Sequence, residues 1–241
     1  MNATIRLDKF LHQHHNIQSR TKASELIKDK KIKIDGIIIS KPSFKVEVNM
    51  TIEILQDTFY VSRAANKLKY FLKELKNKII LQNRTALDIG SSTGGFTQVL
   101  LLNNIKNVTC VDVGSNQLHQ LIKDNDKLTI FENTDIRKFE PNYKYDIITC
   151  DVSFISILNI LNDIHRLSKD DIIILYKPQY EVGSKIKRNK TGVVQDIDAI
   201  TISRAKFLKE TNTLKWKFIY SSISNVKGKE GNIEELFYFK K

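Results

Sequence analysis

The stretch from Thr85 to Phe96, Thr-Ala-Leu-Asp-Ile-Gly-Ser-Ser-Thr-Gly-Gly-Phe, constrains this chain more than any other. A short apolar run carries an acid, Asp88, near its end. It then breaks at Gly90, passes two serines and a threonine, and reaches Gly94 and Gly95 before an amphipathic run from Phe96 to Leu102. That order reads as strand, tight glycine turn and helix start. Glycine suits such a turn because the backbone takes unusual dihedrals and lets a ligand approach closely. The following helix offers free N–H groups to polar or anionic ligand atoms. The spacing is not Gly-x-Gly-x-x-Gly, which weakens a dinucleotide reading. Taken alone, the motif reads equally well as a turn that only closes a strand–helix unit.

From Thr85 onward the pattern alternates. Strands are predicted at Thr85–Ile89, Asn107–Val113, Leu128–Phe131, Tyr145–Cys150, Asp171–Tyr176, Lys215–Ser222 and Glu235–Lys240. Helices are predicted at Phe96–Asn103, Asn116–Lys123, Ile155–Leu167 and Ile197–Glu210, the last capped by Asp196. Alternation of this kind predicts an α/β fold, a parallel sheet with helices on both faces. A short turn-like segment joins the last two strands, so the last is expected antiparallel. Ligands of such sheets lie beyond the carboxyl ends of the strands. Ahead of the sheet, Leu68, Phe71, Leu72 and Leu75 recur at helical spacing.

Residues 1–57 read as a small α+β module, 58–62 as a linker and 63–241 as the α/β domain. In the module, Leu7, Phe10 and Leu11 mark one helix, and Ala23, Leu26 and Ile27 a second, capped by Ser19 or Thr21. Asp35-Gly36 between Ile32-Lys-Ile34 and Ile37-Ile-Ile39 is a hairpin signal. Val46, Val48, Ile52 and Ile54 indicate further strand.

Charge narrows the partners. Lys and Arg number 39 against 27 Asp and Glu, a formal net charge of +12. Such an excess fits a polyanion, nucleic acid first and an acidic membrane surface second. The chain is also rich in Lys, Ile and Asn with only 9 Gly and 3 Pro, so compositional bias and solvated lysines are the plain alternative. Cys110 and Cys150 sit in apolar runs and read as buried thiols, with no disulfide framework or metal site. His12, His14 and His15 lack accompanying cysteines or carboxylates and read as a helix end rather than a metal site. No run approaches the ~18 apolar residues of a membrane span, and the start lacks the apolar core of a signal peptide. A cytoplasmic, monomeric protein without metal is expected.

The motifs together resemble a known family. Gly90-Ser-Ser-Thr-Gly-Gly-Phe96 is similar to the S-adenosylmethionine loop of the FtsJ-like RNA methyltransferases, in the variant carried by the TlyA family. Val61-Ser-Arg-Ala-Ala-Asn-Lys67 resembles that family's Val-Ser-Arg-Gly-Gly-x-Lys-Leu, with Ala64 and Ala65 in place of the glycines. Asp151-Val-Ser-Phe-Ile-Ser156 matches Asp-Val-Ser-Phe-Ile-Ser; it lacks the two prolines usual for methylation of exocyclic amines, which argues against a base nitrogen as acceptor. Gly231-Asn-Ile-Glu234 resembles Gly-Asn-x-Glu. The resemblance implies a Rossmann-like, seven-stranded S-adenosylmethionine-dependent methyltransferase sheet. It places the cofactor on Asp88, Gly90, Ser91, Ser92, Thr93, Gly94, Gly95 and Phe96. It also sets Asp112 and Val113 at the ribose, Asp135 and Ile136 at the adenine, and Asp151 at the end of the fourth strand. For Asp135 the alternative is a loop acid that caps nothing.

The same carry-over assigns a catalytic Lys-Asp-Lys-Glu tetrad to Lys67, Asp151, Lys177 and Glu234. Lysine is rarely buried without a partner, so Lys177 directly after Ile172-Ile-Ile-Leu175 is unusual, unless it turns to solvent. A lysine near its ordinary pKa of about 10.4 is protonated at neutral pH. Desolvation and a second cation disfavour the charge, so Lys67 is expected to help free Lys177 as a base while Asp151 and Glu234 orient. Residues 1–57 resemble the RNA-binding domain named after ribosomal protein S-four, through Arg6-Leu-Asp8, Ser19-Arg20, Ile32-x-Ile34-x-Gly36 and Lys41-Pro42. Lys30 stands where that family usually has glycine. The implied RNA contacts are Arg6, Arg20, Lys22, Lys31 and Lys33, joined by Arg63 and by Lys185, Lys187 and Arg188 in a basic loop.

The resemblance implies 2′-O-methylation of cytidine in ribosomal RNA, with the large subunit as the commonest target. Some members also act on the small subunit and carry extra terminal residues; a chain ending at Lys241 favours the single-target form. Three rivals come from other classes. One is an RNA-binding factor without chemistry. Another is a membrane-active haemolysin, a name the family has also carried. The third and weakest is a nicotinamide oxidoreductase, given the glycine spacing.

Overall fold

The computed structural model describes residues 4–15, 17–47, 49–55 and 59–241. The chain forms two compact units, Met1–Phe59 and Tyr60–Lys241. Val48, expected in a strand, and residues 57 and 58, at the expected domain boundary, lie outside the described residues.

The first unit runs β1 (Ile5–Arg6), α1 (Leu7–His14), α2 (Arg20–Lys28), β2 (Ile32–Ile34), β3 (Ile37–Ile39), β4 (Lys45–Val46) and β5 (Ile52–Ile54). β1 pairs with β4, and β2 is flanked by β3 and β5, all antiparallel. Leu7, Phe10, Leu11, Leu26, Ile27 and Ile32 fill one apolar core between helices and strands. Ser19 caps α2 by accepting the Lys22 N–H at 3.1 Å. The hairpin turns on Asp35 and Gly36, both with positive φ as its type requires. Lys30, standing at the usual glycine, takes that glycine's conformation with φ 58°. Its N–H meets the Ile27 carbonyl and that of Lys31 meets Leu26, the paired bonds of a left-handed helix stop.

The second unit opens with α3 (Arg63–Leu75). It continues through β6 (Thr85–Ile89), α4 (Gly95–Leu102), β7 (Asn107–Val111), α5 (Gln120–Lys123), β8 (Leu128–Phe131) and β9 (Tyr145–Cys150). Then come α6 (Leu161–Leu167), β10 (Ser168–Tyr176), α7 (Pro178–Glu181), α8 (Ile197–Thr213), β11 (Lys217–Ile223) and β12 (Glu235–Lys240). The seven-stranded sheet has the order β11-β12-β10-β9-β6-β7-β8. β12 alone runs against its neighbours. Chain order turns outward on both sides of β6 and β9, which makes the crevice at their carboxyl ends the switch point where ligands bind.

Several predicted elements differ: β7 ends at Val111 rather than Val113, β10 begins at Ser168 rather than Asp171, α8 runs on to Thr213, and three others depart further. The helix expected at Asn116–Lys123 is only Gln120–Lys123, because Asn116 has φ 53° and His119 starts the turn. Ile155–Leu167 divides into a 3₁₀ turn at Ile157–Ile160, capped by Ser156, and α6. β11 begins at Lys217 rather than Lys215, because Lys215 (φ 60°) and Trp216 bond back to Asn212 and Thr211 and close α8. Cys110 and Cys150 are buried free thiols.

Candidate active site

Strand register delivers the site. Ile89 and Ile174 both pair with Cys150, and Tyr176 pairs with Glu235. The residues that follow or precede these, Gly90, Asp151, Lys177 and Glu234, therefore emerge at one edge of the sheet.

The glycine turn lies between two cavities. Gly90 has φ +74°, and a Cβ there would meet the Asp151 carbonyl at 2.9 Å. Gly94 is left-handed, and its Cβ would strike Ile122 and Leu118. Gly95 makes room on its other side: a Cβ would lie 2.1 Å from Ser62 Oγ and 2.8 Å from the Ala65 nitrogen. Ala64 and Ala65 thus fit at the start of α3 because Gly95 provides the clearance at the start of α4. Val61 is tied to the same helix by Gln98 Oε1 at 2.8 Å.

The first cavity, about 530 Å³, is lined by Gly90, Ser92, Asp112, Val113, Asp135, Ile136 and Asp151 among the expected cofactor residues. That volume suits a nucleoside-sized ligand. Asp112 Oδ2 accepts the Ser92 N–H at 2.8 Å and Oδ1 that of Gly114 at 2.7 Å, so its carboxylate is fixed at the end of β7. Asp135 accepts from the Arg137 backbone at 3.0 Å and pairs with its guanidinium. It therefore caps the Ile136–Lys138 turn, and Arg137 pulls its carboxyl down to about 2. Sequence reasoning gave no role to Gln117, Thr134, Val152, Ile155 or Ile160, which also line it. Loop and strand ends carry no periodic signal that would have flagged them.

Two expected cofactor residues face elsewhere. Asp88 is fully buried behind the turn, accepting from Thr97 Oγ1 at 2.6 Å and Thr149 Oγ1 at 2.8 Å. Burial pushes its carboxyl up to about 6. Gly94 packs on α5 and its preceding turn. Neither is among the residues lining these two cavities, and both instead support the turn.

The second cavity, about 390 Å³, shares Gly90, Ser92, Asp151, Ser153 and Phe154 with the first. Ser91, Thr93, Gly95 and Phe96 of the expected loop line it, with Arg63, Lys67, Lys177 and Glu234. The four tetrad residues are brought together as two ion pairs. Lys67 Nζ lies 2.5 Å from Glu234 Oε2, and Lys177 Nζ lies 2.6 Å from Asp151 Oδ1. Both lysines are 8% exposed. Burial opposes the charge on Lys177, but Asp151 and then Glu234 favour it more, and its pKa is raised. The expectation that Lys67 depresses Lys177 is thus corrected: Glu234 neutralises Lys67, and Asp151 keeps Lys177 an ammonium at rest.

Three neighbours complete the cluster. Ser153 Oγ accepts from Lys177 Nζ at 2.9 Å, and Gln179 Nε2 donates to Glu234 Oε1 at 3.1 Å. Buried Asn232 accepts the Val194 N–H at 3.0 Å, joining Gly192-Val193-Val194, which follows the basic loop, to the tail that carries Glu234. Phe154, 91% exposed with φ 65°, stands at the mouth of both cavities, its ring 5.5 Å from that of Tyr180.

Among the other basic candidates, Lys185 and Lys187 are exposed. Arg188 is engaged by its own loop, donating to the carbonyls of Gln179, Gly183 and Ile186. In the first unit, Arg6 and Arg20 both pair with buried Asp8, at 2.9 Å and 3.1 Å. Asp8, unassigned from sequence, therefore holds two half-exposed guanidiniums side by side, and Arg6 above all lowers its pKa. Lys22 pairs with Glu25, Lys31 is exposed, and Lys33 lies opposite Glu53.

A doubly wound sheet with its last strand reversed, a glycine turn at the switch point and an acid ending the second strand defines the class of S-adenosylmethionine-dependent methyltransferases. The chain belongs to the FtsJ-like methyltransferase family, whose model matches residues 60–241, and an S4 domain matches residues 5–52. It is 43% identical to the 23S rRNA (cytidine-2′-O)-methyltransferase TlyA of Campylobacter jejuni, over 98% of this chain and 99% of that one. It is 36% identical to a protein named Hemolysin A of Brachyspira hyodysenteriae, over 98% and 99%. Among solved structures, a putative hemolysin from Streptococcus thermophilus superposes with TM-score 0.71 at 27% identity, covering 100% of this chain and 90% of that one. No helix among the described residues is long and apolar enough to cross a membrane.

Proposed function

We propose that this protein methylates the ribose 2′-hydroxyl of a cytidine in ribosomal RNA, the large-subunit RNA first, acting as a cytoplasmic monomer. The observation that carries the reading is the convergence of Lys67, Asp151, Lys177 and Glu234 as two ion pairs on the wall of a cavity that shares Gly90 with its neighbour. S-adenosylmethionine in the first cavity supplies an electrophilic methyl group on its sulfonium sulfur. Gly90 and Ser92 provide close backbone approach, Asp112 accepts the ribose hydroxyls, and Ile136 offers an apolar face to the adenine. The relative at 43% identity bears a name for this chemistry on cytidine.

The second cavity holds the acceptor ribose. A sugar hydroxyl is a weak nucleophile and needs a base within hydrogen-bond reach. Lys177 would serve once its ammonium has lost a proton: its amine would take the 2′-hydroxyl proton, readying that oxygen for the methyl group a bound cofactor would release from its sulfur, the neutral thioether leaving. Asp151 aims the amine. The Lys67–Glu234 pair lines the same cavity beside it and compensates its own charge. Placement of the two reactants contributes most of the acceleration. Arg6, Arg20, Lys31, Lys33, Arg63, Lys185 and Lys187 contact RNA phosphates, and the open face of Phe154 is available to stack on a base. The test is transfer of labelled methyl to ribosomal RNA with ribose-methylation mapping. Lys177→Ala should abolish transfer while cofactor affinity stays within about threefold; full activity in that variant refutes the reading.

A further inference from the structure

We infer that Ser153 is a positioning residue for the base: it selects the one orientation of the Lys177 amine that presents a lone pair to the acceptor hydroxyl. The inference rests on the proposed role of Lys177. It starts from the tetrahedral geometry of the lysine nitrogen. Besides Cε, Nζ has three directions. Ser153 Oγ accepts a hydrogen bond along one of them at 2.9 Å, while Asp151 Oδ1 lies 2.6 Å away as an ion-pair partner outside hydrogen-bond geometry. A neutral amine has two N–H bonds and one lone pair. With one N–H fixed on Ser153 and the other drawn electrostatically to the Asp151 side, the lone pair falls in the third direction, on a side chain that lines the 390 Å³ cavity. Asp151 alone would leave the amine free to rotate about Cε–Nζ, and the lone pair would then sample directions that receive no proton.

The backbone fixes Ser153 for this task. On one side the Asp151 N–H bonds the Ile89 carbonyl at 3.0 Å. On the other, Glu181 accepts from Ser156 Oγ at 2.6 Å and from the Ile157 N–H at 2.9 Å. Between these anchors the chain reverses through Phe154 at φ 65°, a conformation that residues with a side chain seldom adopt. A threonine hydroxyl at 153 can make the same contact; alanine cannot.

Removing the hydroxyl has two separable consequences. An acceptor that favours the ammonium is lost, so the pKa of Lys177 falls. The lone pair is no longer confined, so the rate with the neutral amine falls as well. In the full-length protein, with ribosomal RNA and labelled S-adenosylmethionine, Ser153→Ala should lower kcat about tenfold or more. KM for the cofactor and affinity for RNA should stay within about twofold. The alkaline rise of kcat should move to lower pH by about half a unit or more, and Ser153→Thr should recover most of the lost rate. The inference is overturned if Ser153→Ala keeps kcat within about twofold of wild type, if the rise does not move, or if cofactor affinity falls in step with kcat. Lys177→Ala separates the two levels. If that variant is active, the base assignment itself is wrong; if it is dead while Ser153→Ala is normal, only the inference falls.

Discussion

Replacing Asp88 by asparagine separates the charge of this group from its shape. The carboxyl lies fully buried beneath the glycine turn, holding Thr97 at the start of α4 and Thr149 near the end of β9. Burial, the largest influence, raises its pKa from 3.8 to about 6, with the two threonine hydroxyls opposing. A carboxyl raised on folding favours the folded state fully below its unfolded pKa, and that advantage is lost as pH rises through the folded value. The window here runs from 3.8 to about 6. Above it the ionised carboxylate costs the fold about 3 kcal/mol, from ~1.4 kcal/mol per pKa unit. About half of that cost accrues between pH 5 and pH 8.

Asparagine keeps the size and can accept from Thr97 while donating to Thr149. Its stability should therefore gain on that of the wild type by about 1.4 kcal/mol between pH 5 and pH 8, whatever the constant offset between them. Urea unfolding followed by the fluorescence of Trp216, the one tryptophan, reads this unit directly, because Trp216 packs into the sheet's core. Stability curves that run parallel from pH 5 to pH 8 would refute the reasoning. So would a wild type that gains on the variant as pH rises.

The ion pair above this group makes a second prediction, in the kinetics. Lys177 is held up by Asp151, so kcat of the wild type should climb with pH above neutrality. In Asp151→Asn the residual kcat should climb at lower pH, and a rise that stays in place would show that Asp151 does not set the charge of Lys177. Gly95→Ala should destabilise the second unit by ~1–3 kcal/mol, because the new methyl meets the immovable Ala65 nitrogen; an unchanged urea midpoint counts against this packing. Lys30→Gly and Lys215→Gly should each stabilise by about 1 kcal/mol, the left-handed penalty less the added freedom of the unfolded chain. Chemical denaturation of each variant checks this, and a loss of stability would mean that the lysine side chains make compensating contacts.

Those two lysines also mark where the sequence is hardest to read. With only 9 glycines, the chain ends α2 and α8 on Lys30 and Lys215, and α4 on Asn104, all with positive φ. The glycine signal that usually announces a helix stop is absent, which is why α8 extends to Thr213, past the predicted end. By contrast, β6, β8, β9 and β12 fall where alternation of apolar runs and turns puts them, because a strand buried on one or both faces is written as a short apolar run or alternation bounded by turn residues. The tetrad was legible only as four separate motifs resembling one family; which lysine pairs with which acid was not. That pairing is a consequence of register. β12 inserted beside β10 sets Tyr176 against Glu235 and so brings Glu234 beside Lys177, yet Glu234 pairs with Lys67 because Asp151 already occupies Lys177. The charge of the base is therefore decided by strand order rather than by any residue's neighbours in sequence. For the same reason Ser153 and Gln179, which take the remaining hydrogen bonds of the two pairs, stayed invisible until the sheet was assembled.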